Sequence, residues 1–327
     1  MKLLVVIVNY RITDLTIACL RSLADEIVRV DAAKVVVCEN GTGPEHVEKL
    51  RRAIEENGWG GWCELTWLCR NCGFTGGNNA VIRPALASSD PPEYVLLLNG
   101  DTLVRPHAVE ALVAFMDEHQ QVGIAGSRLV NPDGTDQGSP FRFQGILSEL
   151  DRGLRLGVVS RLLSRWSVVI RPKPREACMV DWVSGASMII RRAVFEAIGL
   201  LDEGLFTYFD DIDFCLNARR AGWPTWYVPE SVVVHLEGAA SGIGPGSVKP
   251  RPKYWFEARR RFFLKNYGPL YAALVDAAFI GGYALWRVRR WLQGGVDTDP
   301  VNMLADAVRE SVFLRGTRVP VVGNPES

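Results

Sequence analysis

The sequence predicts an α/β protein built on a doubly wound, mostly parallel sheet, and three observations carry that reading. Leu3-Leu4-Val5-Val6-Ile7-Val8, Lys34-Val35-Val36-Val37-Cys38 and Tyr94-Val95-Leu96-Leu97-Leu98 are short apolar runs without alternation, the pattern of strands buried on both faces. Segments of helical period separate these runs, and strands alternating with helices at this spacing give parallel pairs with right-handed crossovers. Each run then halts in polar residues: Asn9-Tyr10-Arg11, Glu39-Asn40-Gly41 and Asn99-Gly100-Asp101. Ligands of open α/β sheets bind where strands end.

In chain order, the first strand leads to Thr13 and Asp14, which can cap a helix carrying Leu15, Ala18, Cys19 and Leu23 on one side. After the second strand, Glu45 to Glu56 is polar with Val47, Leu50 and Ile54 in helical register, a surface helix. Glu64 to Leu68 is a third strand, followed by the glycine-rich Asn71 to Asn79 and a helix reaching Leu86 despite Pro84. Beyond the Tyr94 strand, Val104 to His119 is helical with Pro106 near its first turn, where proline is tolerated. Gly123 to Val130 is a strand closed by the turn Asn131-Pro132-Asp133-Gly134. Asp136 to Glu176 shows weak pattern and reads as a long variable loop. Val180 to Ile190 returns to strand, Arg191 to Ile198 is a short helix, and Phe214 to Ala221 is helix-like. Trp226 to Pro229 and Ser231 to His235 are two short strands. Tyr254 to Tyr267 is a basic aromatic helix, Leu270 to Leu292 is largely apolar, and the tail from Gly316 is expected to be loosely ordered.

Composition narrows the function. The 327 residues are 48% hydrophobic and 23% charged, normal for a globular protein, and suffice for one large α/β domain or two smaller ones. Lys+Arg and Asp+Glu balance at 37 each, so no nucleic-acid partner is expected. A local basic excess from Lys249 to Arg290, opposed only by Glu257 and Asp276, suggests an anionic partner. Seven cysteines, several among apolar residues, read as free buried thiols. Cys69-Arg70-Asn71-Cys72 has no second pair or finger-spaced histidine to make it a zinc site. The absence of a cleavable signal pattern after Met1 points to a reducing, cytoplasmic location.

Three constellations bear chemistry, each with an ordinary alternative. Asn99-Gly100-Asp101 ends a buried strand, where Asp101 can reach a metal or a phosphate, although Asn-Gly is also a common turn. Asp210, Asp211 and Asp213 precede a helix, where the dipole favours acids, yet three beside aromatics exceed what a cap needs. His235 closes a strand ahead of Gly238 and Ser241 and is either a ligand or a surface histidine.

Taken together, the motifs resemble the glycosyltransferase family 2 enzymes of GT-A fold, particularly the rhamnosyltransferase-like branch. The matching pieces are Val6 to Tyr10, Glu39-Asn40, Asn71-x-Gly73-Phe74-x-Gly76-x-Asn78, Leu98 to Asp101, Trp182-x-x-Gly185-Ala186, Phe209-Asp210-Asp211-x-Asp213 and His235, in family order. The resemblance implies an inverting, metal-dependent transfer of a sugar from a nucleotide-diphosphate donor. Asn9, Tyr10, Arg11, Glu39 and Asn40 would hold the base and ribose, Glu39 standing where the family usually has Asp. Asn71, Gly76, Asn78 and Asn79 would pass close to the nucleotide, and Asn99 would offer a neutral carbonyl beside it. Asp101 and His235 would bind Mg²⁺ or Mn²⁺. Asp211 would be the general base, with Asp210, Trp182 and Gly185 on the acceptor side, Trp182 reading equally as a core residue.

The same resemblance implies a dTDP- or UDP-linked donor, with rhamnose favoured, and a glycan or polyprenyl-diphosphate-linked acceptor in polysaccharide synthesis. It divides the chain into a GT-A domain over 1–265 (1–130 nucleotide-sugar-binding, 131–265 acceptor and catalytic) and a helical extension over 266–327. Leu270 to Leu292 either packs on the domain or lies in a membrane interface, its uninterrupted apolar stretch Ala277 to Trp286 being too short to span a bilayer. Peripheral attachment to the inner face of the plasma membrane follows from the second case, and no feature fixes an oligomeric state. Competing readings are a nicotinamide-dependent enzyme, which would want G-x-G-x-x-G straight after the first strand, a sugar nucleotidyltransferase, for which Arg11 alone is thin support, and a non-catalytic binding subunit of the same fold. The last would tolerate loss of Asp101 or Asp211, and both are present.

Overall fold

A computed structural model describes residues 1–236, 238, 249–294 and 299–323; Ser241 lies outside them. In chain order the elements are β1 (Leu3–Asn9), α1 (Thr13–Ile27), β2 (Ala33–Asn40), α2 (Pro44–Glu56), β3 (Cys63–Leu68), α3 (Gly73–Leu86), β4 (Tyr94–Leu98), β5 (Thr102–Val104), α4 (Ala108–Glu118) and β6 (Ile124–Val130). They continue with α5 (Ile146–Leu154), α6 (Gly157–Leu162), β7 (Cys178–Val180), β8 (Ser187–Arg191), α7 (Arg192–Ile198), α8 (Asp210–Arg220), β9 (Thr225–His235), α9 (Lys253–Leu292), α10 (Met303–Arg309) and α11 (Val312–Arg315). The chain forms two compact units. The first comprises Met1–Phe141, Arg171–Glu203 and Asp210–Gly242; the second comprises Arg142–Ile170, Gly204–Phe209 and Ile243–Ser327.

The first unit carries one sheet in the order β3-β2-β1-β4-β8-β6-β9-β5, with β7 paired to β9. The β3-β2-β1-β4 half is parallel throughout. Every residue of β4 is buried, which is why its sequence shows no alternation. Past β4 the sheet is mixed: β8 runs antiparallel to both β4 and β6, β9 parallel to β6, and β5 antiparallel to β9. Helices α1, α2 and α4 cover one face, where Leu20, Leu23, Leu50, Leu112 and Met116 pack against Val5, Ile7, Val35 and Leu96. All seven cysteines are free thiols, and burial pushes those of Cys38 and Cys63 up to about 12.

Several element boundaries differ from the sequence reading, mostly where distant segments pair. The expected helix from Val104 begins instead at Ala108, because Thr102–Val104 pairs with Val233–His235 as β5. The expected strand Val180 to Ile190 is two strands, β7 and β8, with a loop from Asp181 to Ala186 between them. Conversely, β9 is one strand: a register shift opposite Ser127 and Arg128 absorbs Pro229, which has no ladder N–H to give. Helix α8 starts at Asp210, four residues earlier than expected, so all three aspartates lie in its first turn.

The second unit is helical. The expected loop from Asp136 to Glu176 is a correction here, since its 142–170 portion contributes α5 and α6 to this unit. The two expected C-terminal helices run on as α9, broken only where Gly268 takes φ 82° before Pro269. Helices α5 and α9 cross closely through Gly153 and Gly282: a Cβ on Gly153 would come within 2.7 Å of the Phe279 carbonyl oxygen. The tail touches the unit at Val322. Val322 is buried and its N–H donates to the Gly204 carbonyl at 2.9 Å.

Candidate active site

The carboxyl ends of β1 and β2 lie side by side, with Asn9 opposite Glu39 in the ladder. Their side chains turn inward. Asn9 is fully buried, its amide donating to Thr13 Oγ1 at 3.2 Å and accepting from Thr16 Oγ1 at 2.9 Å, which ties β1 to the start of α1. The Glu39 carboxylate folds back on its own turn, accepting the N–H groups of Gly41 at 3.2 Å and Thr42 at 2.8 Å. Asn40 reaches across to the next loop, donating to Asn71 Oδ1 and the Gly73 carbonyl and accepting the Cys72 N–H at 2.9 Å. Gly41 makes that approach possible: it sits at φ 79°, and a Cβ there would overlap the Arg70 backbone and lie 2.5 Å from Asn71 N. What these buried groups hold up is an open rim. Arg11, in the left-handed region at φ 61°, is exposed, and its guanidinium lies 4.9 Å over the ring of the half-buried Tyr10.

The glycine-rich start of α3 is tightly packed. A Cβ on Gly76 would lie 2.7 Å from Cys72 Cβ, and one on Gly77 2.8 Å from Val8 Cγ1. Asn79 is a latch to the 201–203 loop, donating to the Leu201 carbonyl and Glu203 Oε1, both at 2.9 Å, and accepting the Leu201 N–H. Asn78 donates to the Phe74 carbonyl at 2.8 Å; its buried Oδ1 accepts no hydrogen bond among the described residues.

Two further clusters meet at the end of β4. The β5–β9 pairing sets Thr102 against His235, and the Leu236 N–H donates to the Asp101 carbonyl at 2.9 Å. His235 Nε2 thereby comes to 3.5 Å from Asp101 Oδ1 and 3.4 Å from Asn99 Nδ2. Across the strand, the Asn99 N–H donates to the Ala186 carbonyl at 3.0 Å. The neighbouring Gly185 N–H points at Asp211 Oδ2, 3.3 Å away, while Asp211 Oδ1 accepts the Ile212 N–H at 2.8 Å. Burial pushes the Asp211 carboxyl up to about 6, the two backbone donors offsetting only part of the lost hydration. Gly185 leaves room for the Phe74 ring, whose Cζ would be 3.2 Å from a Cβ there. Trp182 is buried and stacked on Phe141 with centroids 4.0 Å apart, which gives it a packing role in this structure. Asp210 and Asp213 are buried in the same helical turn as Asp211.

A sequence model of the family described as "Glycosyltransferase like family 2" matches residues 2–262. The chain belongs to that family. Among curated proteins, this family member is 26% identical over 251 residues to the dTDP-rhamnosyl transferase RfbF of Shigella flexneri, covering 75% of each chain. It is 28% identical over 159 residues to the N-acetylglucosaminyl-diphospho-decaprenol L-rhamnosyltransferase of Mycobacterium tuberculosis, a match over 47% of this chain and about half the length of that relative. Among solved structures, GalNAc-T7 with UDP, GalNAc and Mn²⁺ superposes with a TM-score of 0.60 at 18% identity, covering 94% of this chain and 58% of the other. The shared architecture is the GT-A fold.

Against that fold, the Asp101–His235 pair can be tested as a cation site. The two side chains offer one carboxylate and one imidazole, both nearly buried, with the Asn99 amide alongside. Among the described residues no group of three or more His, Cys, Asp and Glu gathers. Two protein donors fit a divalent ion whose other positions go to phosphate oxygens and water. Sequence reasoning missed the group that aims the imidazole. Gln137 Oε1 lies 3.2 Å from His235 Nδ1, and Gln137 Nε2 donates to the His235 carbonyl at 2.7 Å. Ninety-eight residues separate the two, so no local pattern could reveal the pairing.

Proposed function

We propose that this glycosyltransferase transfers a sugar, rhamnose in the first instance, from a dTDP- or UDP-linked donor to a hydroxyl of a glycan or polyprenyl-diphosphate-linked acceptor, with inversion. The observation that carries the chemistry is Asp211: a carboxyl oriented by two backbone N–H groups, with no cation paired to it among the described residues and its titration raised to about 6. Such a group is ionised at neutral pH yet basic enough to take a proton, as a general base requires. As the acceptor oxygen bonds to the anomeric carbon, its proton passes to Asp211, and the bond from that carbon to the diphosphate oxygen breaks with its electrons leaving on the phosphate. Asp210 supports the acceptor side as the neighbour of Asp211, Gly185 through its N–H, and Trp182 as part of the same loop as Gly185.

On the donor side, the half-buried Tyr10 and the exposed Arg11 meet the nucleotide, and the buried Asn9, Glu39, Asn40, Asn78 and Asn79, with the half-buried Asn71 and Gly76, fix the loops that frame it. Asp101 and His235, with Asn99 beside them, hold Mg²⁺ or Mn²⁺, which when bound supplies positive charge to the leaving diphosphate. The rhamnosyltransferase relatives support the donor sugar, and the diphospho-decaprenol in the name of one supports a lipid-linked acceptor. Calorimetric titration of dTDP and UDP, with Mn²⁺ and then with EDTA, tests the reading. Metal-dependent binding of one of them, lost in Asp101→Ala, is expected; no binding by the folded protein overturns it.

A further inference from the structure

The part of α9 beyond its Gly268 break carries an anomaly that the transfer chemistry does not use. A surface helix ordinarily turns apolar residues inward and charged ones to solvent. Here the inward face holds Ala272, Val275, Phe279, Tyr283 and Trp286, all buried. Opposite that face, beside the exposed Arg287 and Trp291, lie Leu270, Leu274, Ala277, Gly281, Leu285, Val288 and Leu292, all exposed and none polar. Their spacing of four, three, four, four, three and four residues keeps them within about 80° of helical arc over roughly 33 Å. Leu270 is 75% exposed, Leu285 64% and Leu292 72%. An uncovered apolar strip of that length marks a contact surface.

Charge identifies what covers it. From Ala258 to Leu292 the one acidic residue is Asp276, which is buried and paired with Arg259. Cations instead bracket the strip, with Lys265 before it and Arg287, Arg289 and Arg290 at its end. The exposed Trp291 stands beside them, and Trp and Arg together are what helices place at the headgroup level. By length and hydropathy α9 could cross a bilayer. Its inner face, however, is occupied by α5, through the Gly153–Gly282 crossing and the Glu149–Arg259 ion pair, so lipid tails cannot surround it. We propose that the outer face of α9 from Leu270 to Leu292 lies flat in the interface of an anionic lipid bilayer. The strip belongs to the second unit and stands whatever sugar the first unit transfers.

Co-sedimentation of the full chain with vesicles tests this, using phosphatidylcholine alone and phosphatidylcholine mixed with phosphatidylglycerol. Binding to the mixed vesicles is expected, weakened at high salt. Leu274→Glu with Leu285→Glu should lower the affinity by roughly tenfold or more, and so should Leu270→Glu with Leu292→Glu at the strip's ends. Arg287→Gln with Arg290→Gln should remove most of the preference for anionic vesicles, by roughly fivefold per charge. The four leucines and Arg287 are exposed and Arg290 is half-buried, and unchanged dTDP or UDP binding in each variant separates loss of lipid contact from loss of the donor site. Absence of binding by the folded chain overturns the proposal, as does binding that ignores both leucine pairs. A self-associating chain that sediments without vesicles, and becomes monomeric in Leu274→Glu with Leu285→Glu, would assign the strip to a second copy instead.

Discussion

In the second unit the Glu149 carboxylate is fully buried and bonded to two guanidinium groups, Arg259 at 2.8 Å and Arg152 at 3.1 Å. In the first unit the half-buried Asp211 carboxyl is bonded to two backbone N–H groups instead. Burial alone would raise both. At Glu149 the neighbouring arginines overcome that penalty and hold the carboxyl below its usual range, whereas at Asp211 burial prevails. The difference separates two uses of a buried acid. One with cations beside it stays ionised and fastens helices; one with only dipoles beside it retains affinity for a proton. The second unit repeats the first pattern, since Asp276 takes both Arg259 and the Val312 N–H, and Glu310 takes Arg260 and Arg315.

The sharpest test of this contrast is to neutralise each acid. Asp211→Asn should cut turnover by roughly 10²–10⁴-fold with donor binding near normal, as measured by initial rates and calorimetry; wild-type turnover would place the base elsewhere. Arg259→Met should cost about 3–5 kcal/mol in urea unfolding, because Asp276 would be left buried without its cation and Glu149 with Arg152 alone. Making Glu149 and Asp276 apolar in the same chain should recover most of that loss. Gln137→Ala should weaken metal-dependent nucleotide binding by roughly 10–100-fold, the effect of losing a group that orients a metal-binding imidazole. Binding in EDTA should not change.

The smallest effect is in pH and differs in sign between the two acids. The folded carboxyl of Asp211 is raised from 3.8 to about 6, so the folded state binds its proton more tightly than the unfolded chain does. That group therefore favours folding fully below about pH 4, and its contribution is lost as pH rises to about 6. For Glu149 the folded carboxyl is lowered, so its contribution is present above the ordinary glutamate range and lost on acidification. Denaturant titrations across pH 4–7 should show Asp211→Asn gaining stability relative to the parent as pH rises, by on the order of 1–3 kcal/mol. Turnover of the parent should fall as pH drops below about 6.

Legibility in the sequence followed how local each feature is. Strand β4 announced itself because a strand covered on both faces must be apolar at every position, and the motif at its end lies within the same eight residues. The Asp101–His235 contact was foreshadowed only by residue type, and the pairing of β5 with β9 that creates it spans more than a hundred residues. Helix α8 was read four residues too short because aspartates look like a cap, whereas in the fold they form the first turn itself. The partners of Asn79 and Glu39, the Leu201 loop and the residue's own turn, were not legible, because they depend on where the chain returns. Residues 142–170 showed little pattern because the surface they cover belongs to α9.

Gly41 bears on how this chain could be re-engineered. Two loops from different strands, 39–42 and 70–73, touch through its missing side chain and share the Asn40 hydrogen bonds. They form one transplantable part in two pieces. Grafting either loop alone from a relative with another nucleotide preference should give a misassembled rim, while grafting both as a pair, glycine included, should carry the preference with it.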